Sequence, residues 1–137
     1  MHTQAFNSAR ILIVDDEPAN VRLLERMLET AGYLNRRSTT DPRQVPALYA
    51  EFQPDLILLD LMMPYLNGFA VIEQLRRHIA VADDVAILLL TADSSQEIKE
   101  RALALGATGF LTKPFERVEL LLRLQSLLEQ RSLNGGL

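Results

Sequence analysis

Apolar positions gather into five short runs: Arg10–Val14, Tyr33–Ser38, Asp55–Leu59, Val85–Leu90 and Thr108–Thr112. Their starts are 23, 22, 30 and 23 residues apart, and the intervening segments carry helical periodicity. The first such segment places Val21, Leu24, Leu28 and Ala31 on one face and meets Gly32, a helix stop. The fourth opens with Ser94-Ser95-Gln96-Glu97, a capping-box pattern, and closes at Gly106. Pro42, Asn67-Gly68 and Pro114 mark further helix starts or turns. Strands alternating with helices predict βαβ crossovers and a parallel sheet. Leu56-Ile57-Leu58-Leu59 and Val85–Leu90 are apolar on both faces, as central parallel strands require. Tyr33–Ser38, with Asn35, Arg36 and Arg37, predicts an edge strand. Five units cannot close an eight-stranded barrel, so an α/β fold with an open, doubly wound (βα)5 sheet is expected. Residues 1–9 read as a loose tail, 10–131 as one domain, and 132–137 as a C-terminal tail or the start of a linker.

Composition narrows the chemistry. The chain has 137 residues, the size of one domain. It has no cysteine, which removes disulfides, thiol catalysis and cysteine–metal sites. Fourteen Lys and Arg against eighteen Asp and Glu give a net charge of −4, so electrostatics gives no support to direct nucleic-acid binding. The apolar runs are strand-sized, far short of the ~20 residues a membrane span needs. The first ten residues lack an apolar signal core, and a cytoplasmic protein is expected. His2 in the tail and His78 at a helix end have no second ligand near them in sequence and read as surface residues.

In an open α/β sheet, ligands bind beyond the carboxyl ends of the strands, at the topological switch point. Strand 1 runs into Asp15-Asp16-Glu17, strand 3 into Asp60, strand 4 into Thr91 and strand 5 into Lys113-Pro114. An order of 2-1-3-4-5 would set strands 1 and 3 side by side and bring Asp15, Asp16 and Asp60 into one crevice. Two unit charges ~4 Å apart repel by about 4 kcal/mol at an effective dielectric near 20. Protonation or a bound cation relieves this. Oxygen-only ligands with room for water suit Mg²⁺, or Mn²⁺ in its place. Lys113 adds a positive charge and Thr91 a hydroxyl. Together these groups meet the demands of phosphoryl transfer, which are charge neutralisation and positioning. Asp60, the lone carboxylate on a central strand, is the natural acceptor. Taken singly, each has a plainer reading: the acidic triplet complements a helix dipole, Asp60 caps a helix, and Lys-Pro makes a turn. Their joint placement at the ends of different strands is what the plainer readings leave unexplained.

Across about residues 9–131 the chain resembles the receiver domain of two-component response regulators. The matching segments are I-L-I-V-D-D-E-P at 11–18, D-L-I-L-L-D-L-M-M-P at 55–64 with Asn67-Gly68, L-L-T-A at 89–92 and G-A-T-G-F-L-T-K-P-F at 106–115. The resemblance implies a flavodoxin-like sheet in the order 2-1-3-4-5 and a role in phosphorelay signal transduction. It implies that Asp60 accepts a phosphoryl group from a sensor histidine kinase or phosphotransfer protein. Asp15, Asp16 and Asp60 would hold Mg²⁺ together with the backbone carbonyl of Met62. Lys113, before a cis peptide to Pro114, would bind the phosphoryl group. Thr91 would move to meet it, and Phe110 would be the switch aromatic that follows Thr91 inward. The surface of helix 4, strand 5 and helix 5 would then meet a partner or output domain differently. Met62 and Asp93 occupy the positions that line the path of attacking water, with opposing effects on phosphoryl lifetime. The resemblance implies no enzyme activity beyond the chain's own phosphoryl transfer and dephosphorylation. D-D-E-P-A-N-V-R-L-L-E at 15–25 is weakly similar to receivers joined to cyclic-dinucleotide-turnover domains.

The last helix carries Val118, Leu120, Leu121, Leu122, Leu124, Leu127 and Leu128, which span roughly 220° of its circumference. A surface helix needs a stripe little wider than ~100°. Val118, Leu121 and Leu122 are expected on the sheet, leaving Leu120, Leu124 and Leu127 for a homodimer contact through helix 4, strand 5 and helix 5, or for a linker helix. Three other functions share features with this pattern. A flavodoxin-like electron carrier needs a hydroxyl- and glycine-rich phosphate loop where this chain has Asp-Asp-Glu. A Mg²⁺-dependent phosphohydrolase of the haloacid-dehalogenase type needs a second Asp where this chain has Met62. A pseudo-receiver would act as an interaction module without phosphorylation.

Overall fold

The five apolar runs form five strands, and the segments between and after them form helices. The computed structural model describes residues 8–78 and 85–133, without the side chains of 78, 132 and 133. The elements are β1 (Ile11–Val14), α1 (Pro18–Thr30), β2 (Arg36–Thr39), α2 (Val45–Phe52), β3 (Leu56–Asp60), α3 (Gly68–His78), β4 (Ala86–Thr91), α4 (Gln96–Leu105), β5 (Gly109–Thr112) and α5 (Arg117–Leu133). A short 3-10 turn, Pro42–Gln44, precedes α2. The strands are parallel in the order β2-β1-β3-β4-β5, as expected. Residues 1–7 of the expected tail, His2 among them, fall outside the described residues, as do the His78 side chain and residues 134–137. Of that tail, Ser8 is tied down, its carbonyl accepting from Asn35 Nδ2 at 2.9 Å, and Ala9 is buried.

Two local expectations need correction. The second strand is Arg36–Thr39, not Tyr33–Ser38. Gly32, at φ 87°, donates to Glu29 O, and Tyr33 N–H reaches back to Leu28 O at 3.0 Å. Tyr33 therefore completes the C-terminal cap of α1, and its buried ring joins the core. The fourth helix is capped by Ser95 rather than Ser94. Asp93 Oδ1 accepts the Ser95 N–H at 2.9 Å, so the turn after β4 delays the helix by one residue, and Ser95 Oγ accepts from Ile98 N.

Alternation along the strands divides the core between two faces. Ile11, Ile13, Leu56, Leu58, Leu88 and Leu90 meet α1 and α5, whereas Leu12, Val14, Ile57, Leu59, Ile87 and Leu89 meet α2, α3 and α4. Each fully buried leucine or isoleucine contributes roughly 1.5–3 kcal/mol.

The expected facing of α5 is reversed except at Leu121, which is partly buried against the core. Leu120, Leu124, Leu127 and Leu128 are buried on the sheet, while Val118 and Leu122 are 61% and 62% exposed. The buried four follow the i, i+4, i+7, i+8 spacing of a stripe that runs along the helix, whereas Val118, Leu121 and Leu122 cover only its first turns. The longer in-phase set buries more and wins. Leu120, Leu124 and Leu127 are thus part of the chain's own core and cannot serve a second chain. Near its far end α5 is pinned to the amino end of β3, where Arg131 Nη1 pairs with Asp55 Oδ1 at 2.9 Å. Asp55 Oδ2 also accepts the Arg10 N–H at 2.8 Å.

Candidate functional site

Strand register delivers the polar residues to one edge. Val14 is level with Leu59, so Asp15 follows beside Asp60; Asp60 is level with Leu90, so Thr91 follows; Thr91 is level with Thr112, so Lys113 follows. Asp15, Asp60 and Thr91 are buried. Asp15, Asp16 and Asp60 each offer a carboxylate oxygen, and these oxygens lie within 4.8 Å of one another. Lys113 Nζ donates to Asp60 Oδ1 at 2.9 Å and stands 3.6 Å from Asp15 Oδ2. The Lys113–Pro114 peptide is cis.

The acidic triplet divides between its two readings. Glu17 is the N-cap of α1, its Oε1 accepting from Ala19 N at 3.3 Å, and Pro18 occupies the first helical position. Asp15 and Asp16 turn to the pocket. Asp15 Oδ1 accepts the Glu17 N–H at 3.0 Å, whereas its buried Oδ2 accepts no hydrogen bond from the described residues and faces the Lys113 ammonium at 3.6 Å. A buried carboxylate oxygen met only by a distant ammonium, beside two more carboxylates, fits a small hard dication with oxygen ligands.

The charges hold one another out of balance. Burial pushes the Asp60 carboxyl above the usual range; the Lys113 hydrogen bond opposes this, and Asp15 and Asp16 reinforce it. Burial acts to lower the Lys113 ammonium, but the hydrogen bond to Asp60 and the charges of Asp60 and Asp15 outweigh it and hold its pKa above the ordinary value.

Thr91 Oγ1 accepts the Asp93 N–H at 3.1 Å, and its carbonyl accepts the Lys113 N–H at 2.7 Å. Phe110 is half-buried against the α2–α3–α4 side of the core, with Lys99 Nζ 5.9 Å from its ring centroid. Its carbonyl accepts from Arg123 Nη1 at 2.7 Å. Met62 is 70% exposed, and Asp93 is exposed.

Two contributions to the site are not legible in the sequence. Gly68, at the start of α3, folds over the carboxyl end of β3: a Cβ there would lie 2.9 Å from Asp60 O and from Leu61 Cα. The glycine was legible as a turn, but not the strand end it crosses. A cavity of about 350 Å³ opens beside Asp15 and Lys113, walled by Leu23, Leu24 and Met27 of α1 and by Leu90, Pro114 and Phe115. No local signal places that face of α1 at the site.

An open parallel sheet with an acidic, lysine-backed pocket at its switch point defines a doubly wound α/β domain whose site lies beyond the carboxyl ends of its strands. The family model described as the response regulator receiver domain matches residues 11–125, and the chain belongs to that family, whose members serve phosphorelay signalling. Similar curated proteins include the DNA-binding dual master transcriptional regulator RpaA of Synechocystis sp., 43% identical over 121 residues, covering 88% of this chain and 49% of the relative. Response regulator PleD of Caulobacter vibrioides is 44% identical over 125 residues, covering 88% of this chain and 26% of the relative. The chain thus spans about half the length of the first and about a quarter of the second. Among solved structures, the Vibrio cholerae chemotaxis protein CheY4 superposes with a TM-score of 0.81 at 33% identity, covering 88% of this chain and 98% of that one.

Proposed function

We propose that this chain accepts a phosphoryl group on Asp60 from a sensor histidine kinase or phosphotransfer protein in the cytoplasm, and that the modification changes how the α4–β5–α5 surface meets a partner. The observation that carries this reading is the Asp60–Lys113 pair at 2.9 Å, with Asp15 and Asp16 completing a three-carboxylate cluster at the carboxyl edge of the sheet.

Asp15, Asp16, Asp60 and the Met62 carbonyl would hold Mg²⁺, or Mn²⁺ in its place. When bound, the ion supplies positive charge that offsets the carboxylates and the phosphoryl oxygens. In the transfer, an Asp60 carboxylate oxygen forms the new O–P bond while the bond from phosphorus to the donor's nitrogen or oxygen breaks, and the donor leaves with that electron pair. Lys113 exchanges its hydrogen bond to one Asp60 oxygen for the more numerous phosphoryl oxygens, beside its pairing with Asp15. Thr91 gains a new acceptor for its hydroxyl hydrogen. The acyl phosphate carries about −1.5 to −2 charges in place of the −1 of the Asp60 carboxylate, so the pocket gains roughly −0.5 to −1 charge together with the phosphoryl oxygens, which favours states in which Lys113 and Thr91 close on it. Phe110, on the strand that leads to Lys113, is the side chain placed to register that movement. Apart from this self-modification and its reversal, no catalytic activity is assigned. None of the described helices is long and apolar enough to cross a membrane.

Intact mass after incubation with acetyl phosphate tests the reading, with and without Mg²⁺, on this chain and on Asp60→Asn. A single phosphoryl adduct requiring both Mg²⁺ and Asp60 is expected. A folded, Mg²⁺-binding chain that takes no label from acetyl phosphate or from a histidine phosphodonor would overturn it in favour of a pseudo-receiver. Sustained turnover of a phosphomonoester would make it a phosphohydrolase instead.

A further inference from the structure

We propose that Arg43 and Tyr65 form a positioning pair for the acidic pocket, in which the guanidinium stacked on the ring holds the loop after Asp60 in its working shape. The inference rests on the receiver reading and goes beyond it by assigning roles to two residues outside the pocket.

Two described non-glycine residues have positive φ, Gln53 and Tyr65. Gln53, at φ 53°, ends α2 in the left-handed conformation, a common helix terminus. Tyr65, at φ 69°, lies in the loop between β3 and α3, where glycine would meet no steric penalty. The residue is 73% exposed, so burial does not compensate for the backbone conformation. A large side chain at such a position needs another reason to be there.

The ring's partner supplies that reason. Arg43 Cζ lies 4.0 Å from the Tyr65 centroid, the shortest of four such contacts among the described residues. Arg43 is itself held in place: its Nε and Nη2 each donate to the Asp41 carboxylate at 3.0 Å. Asp41 Oδ1 also accepts the Arg43 N–H at 3.0 Å, and the Asp41 N–H donates to Thr39 Oγ1 at 3.0 Å. Thr39 ends β2, and its carbonyl accepts the Asp15 N–H at 3.2 Å. One chain of contacts therefore runs from Asp15 through Thr39, Asp41 and Arg43 to Tyr65, joining the end of β1 to the loop that leaves Asp60. Within that loop Met63 and Leu66 pack on the core, while Met62 and Pro64 are exposed, so the Tyr65 ring anchors its outward side. With the loop already ordered, less conformational entropy is lost when a cation and a phosphoryl group arrive.

The test sets binding against stability. Tyr65→Gly removes the ring and also relieves the backbone, so its metal-free Tm should equal or exceed that of the parent chain. Its Mn²⁺ affinity, read by electron paramagnetic resonance, should nevertheless fall about three-fold, with acetyl phosphate labelling slowed to a similar extent. Tyr65→Phe should restore both, and Arg43→Gln should match Tyr65→Gly, with the double variant losing nothing more. Parent-like Mn²⁺ binding and labelling in Tyr65→Gly would overturn the pairing. So would losses that appear only together with a lowered Tm, which would mark a merely structural role. If the parent chain neither binds Mn²⁺ nor takes a label, the receiver reading itself fails and this inference with it. If the parent does both and the variants match it, only this inference fails.

Discussion

Lys113 Nζ lies 2.9 Å from Asp60 Oδ1 and 3.6 Å from Asp15 Oδ2, so one ammonium faces two of the pocket's three carboxylates. The Asp60 carboxyl is accordingly held above its usual range, by burial first and then by Asp15 and Asp16, against the pull of Lys113. A raised acid stabilises the fold fully below its unfolded pKa, about 3.9, and loses that contribution as the pH rises through its folded pKa. Ionised Asp60 is thus a burden at neutral pH. Asp60→Asn should melt several degrees higher than the parent at pH 7 without metal, about 1 kcal/mol being worth roughly 4 °C in a domain of this size. The difference should vanish below about pH 4. Melting curves from pH 3.5 to 8 check this, and a lower Tm for the variant at pH 7 would show that Lys113 outweighs the repulsion.

Lys113 has the opposite sign of effect. Its raised pKa means that its contribution is complete below the unfolded value of about 10.4 and is lost only as the pH rises through the higher folded value. Lys113→Met should therefore destabilise the chain at pH 7 by about 1–2 kcal/mol, the partial exposure of the side chain limiting the loss. Urea titration at pH 7 measures it.

A dication in the cluster should act as a stabiliser by mass action. At a free Mg²⁺ concentration near 100 times its Kd, stability should rise by about 2.7 kcal/mol. A chelator should reverse the effect, and Asp15→Asn or Asp16→Asn should abolish most of it. Melting with and without Mg²⁺ decides the matter, and an equal shift in Asp15→Asn would place the ion elsewhere.

Gly68→Ala tests the close approach over Asp60. The added methyl meets backbone atoms at 2.9 Å, which cannot move as a side-chain tip can. A loss of about 1–3 kcal/mol is expected, with slower acetyl phosphate labelling because the backbone of Asp60 itself is displaced. Unchanged stability and labelling would show that the loop yields without cost.

The phase of α5 can be checked by paired truncations. Leu124→Ala should cost about 2–5 kcal/mol, and Leu122→Ala no more than about 0.5 kcal/mol. The reverse ranking in denaturant titrations would restore the facing first expected from the sequence.

The sheet and its chemical edge were legible because the pattern repeats itself: each apolar run ends in a polar residue, and parallel strands put all those ends on one side. Asp15, Asp60, Thr91 and Lys113 could be placed together on that ground. The phase of α5 was not legible, because two apolar sets, Val118–Leu121–Leu122 and Leu120–Leu124–Leu127–Leu128, overlap on one helix and only the full length of contact decides between them. Tyr33 was misread as strand because a helix cap that buries an aromatic ring looks like the start of an apolar run. The Arg43–Tyr65 stack leaves no local trace at all, since its members meet only after β1, β2 and β3 have paired.

The Arg131–Asp55 pin has a mechanical consequence. Its anchor on the sheet is the amino end of β3, the end opposite Asp60, whereas α5 begins just after the Lys113–Pro114 turn. The helix is a stiff strut of seventeen residues, about 25 Å long, fixed near its far end and abutting the charged pocket at its near end. Leu120, Leu124, Leu127 and Leu128 seat that strut on the sheet along the way, so the pin closes the far end of a contact that already runs from the pocket edge to the opposite edge of the sheet.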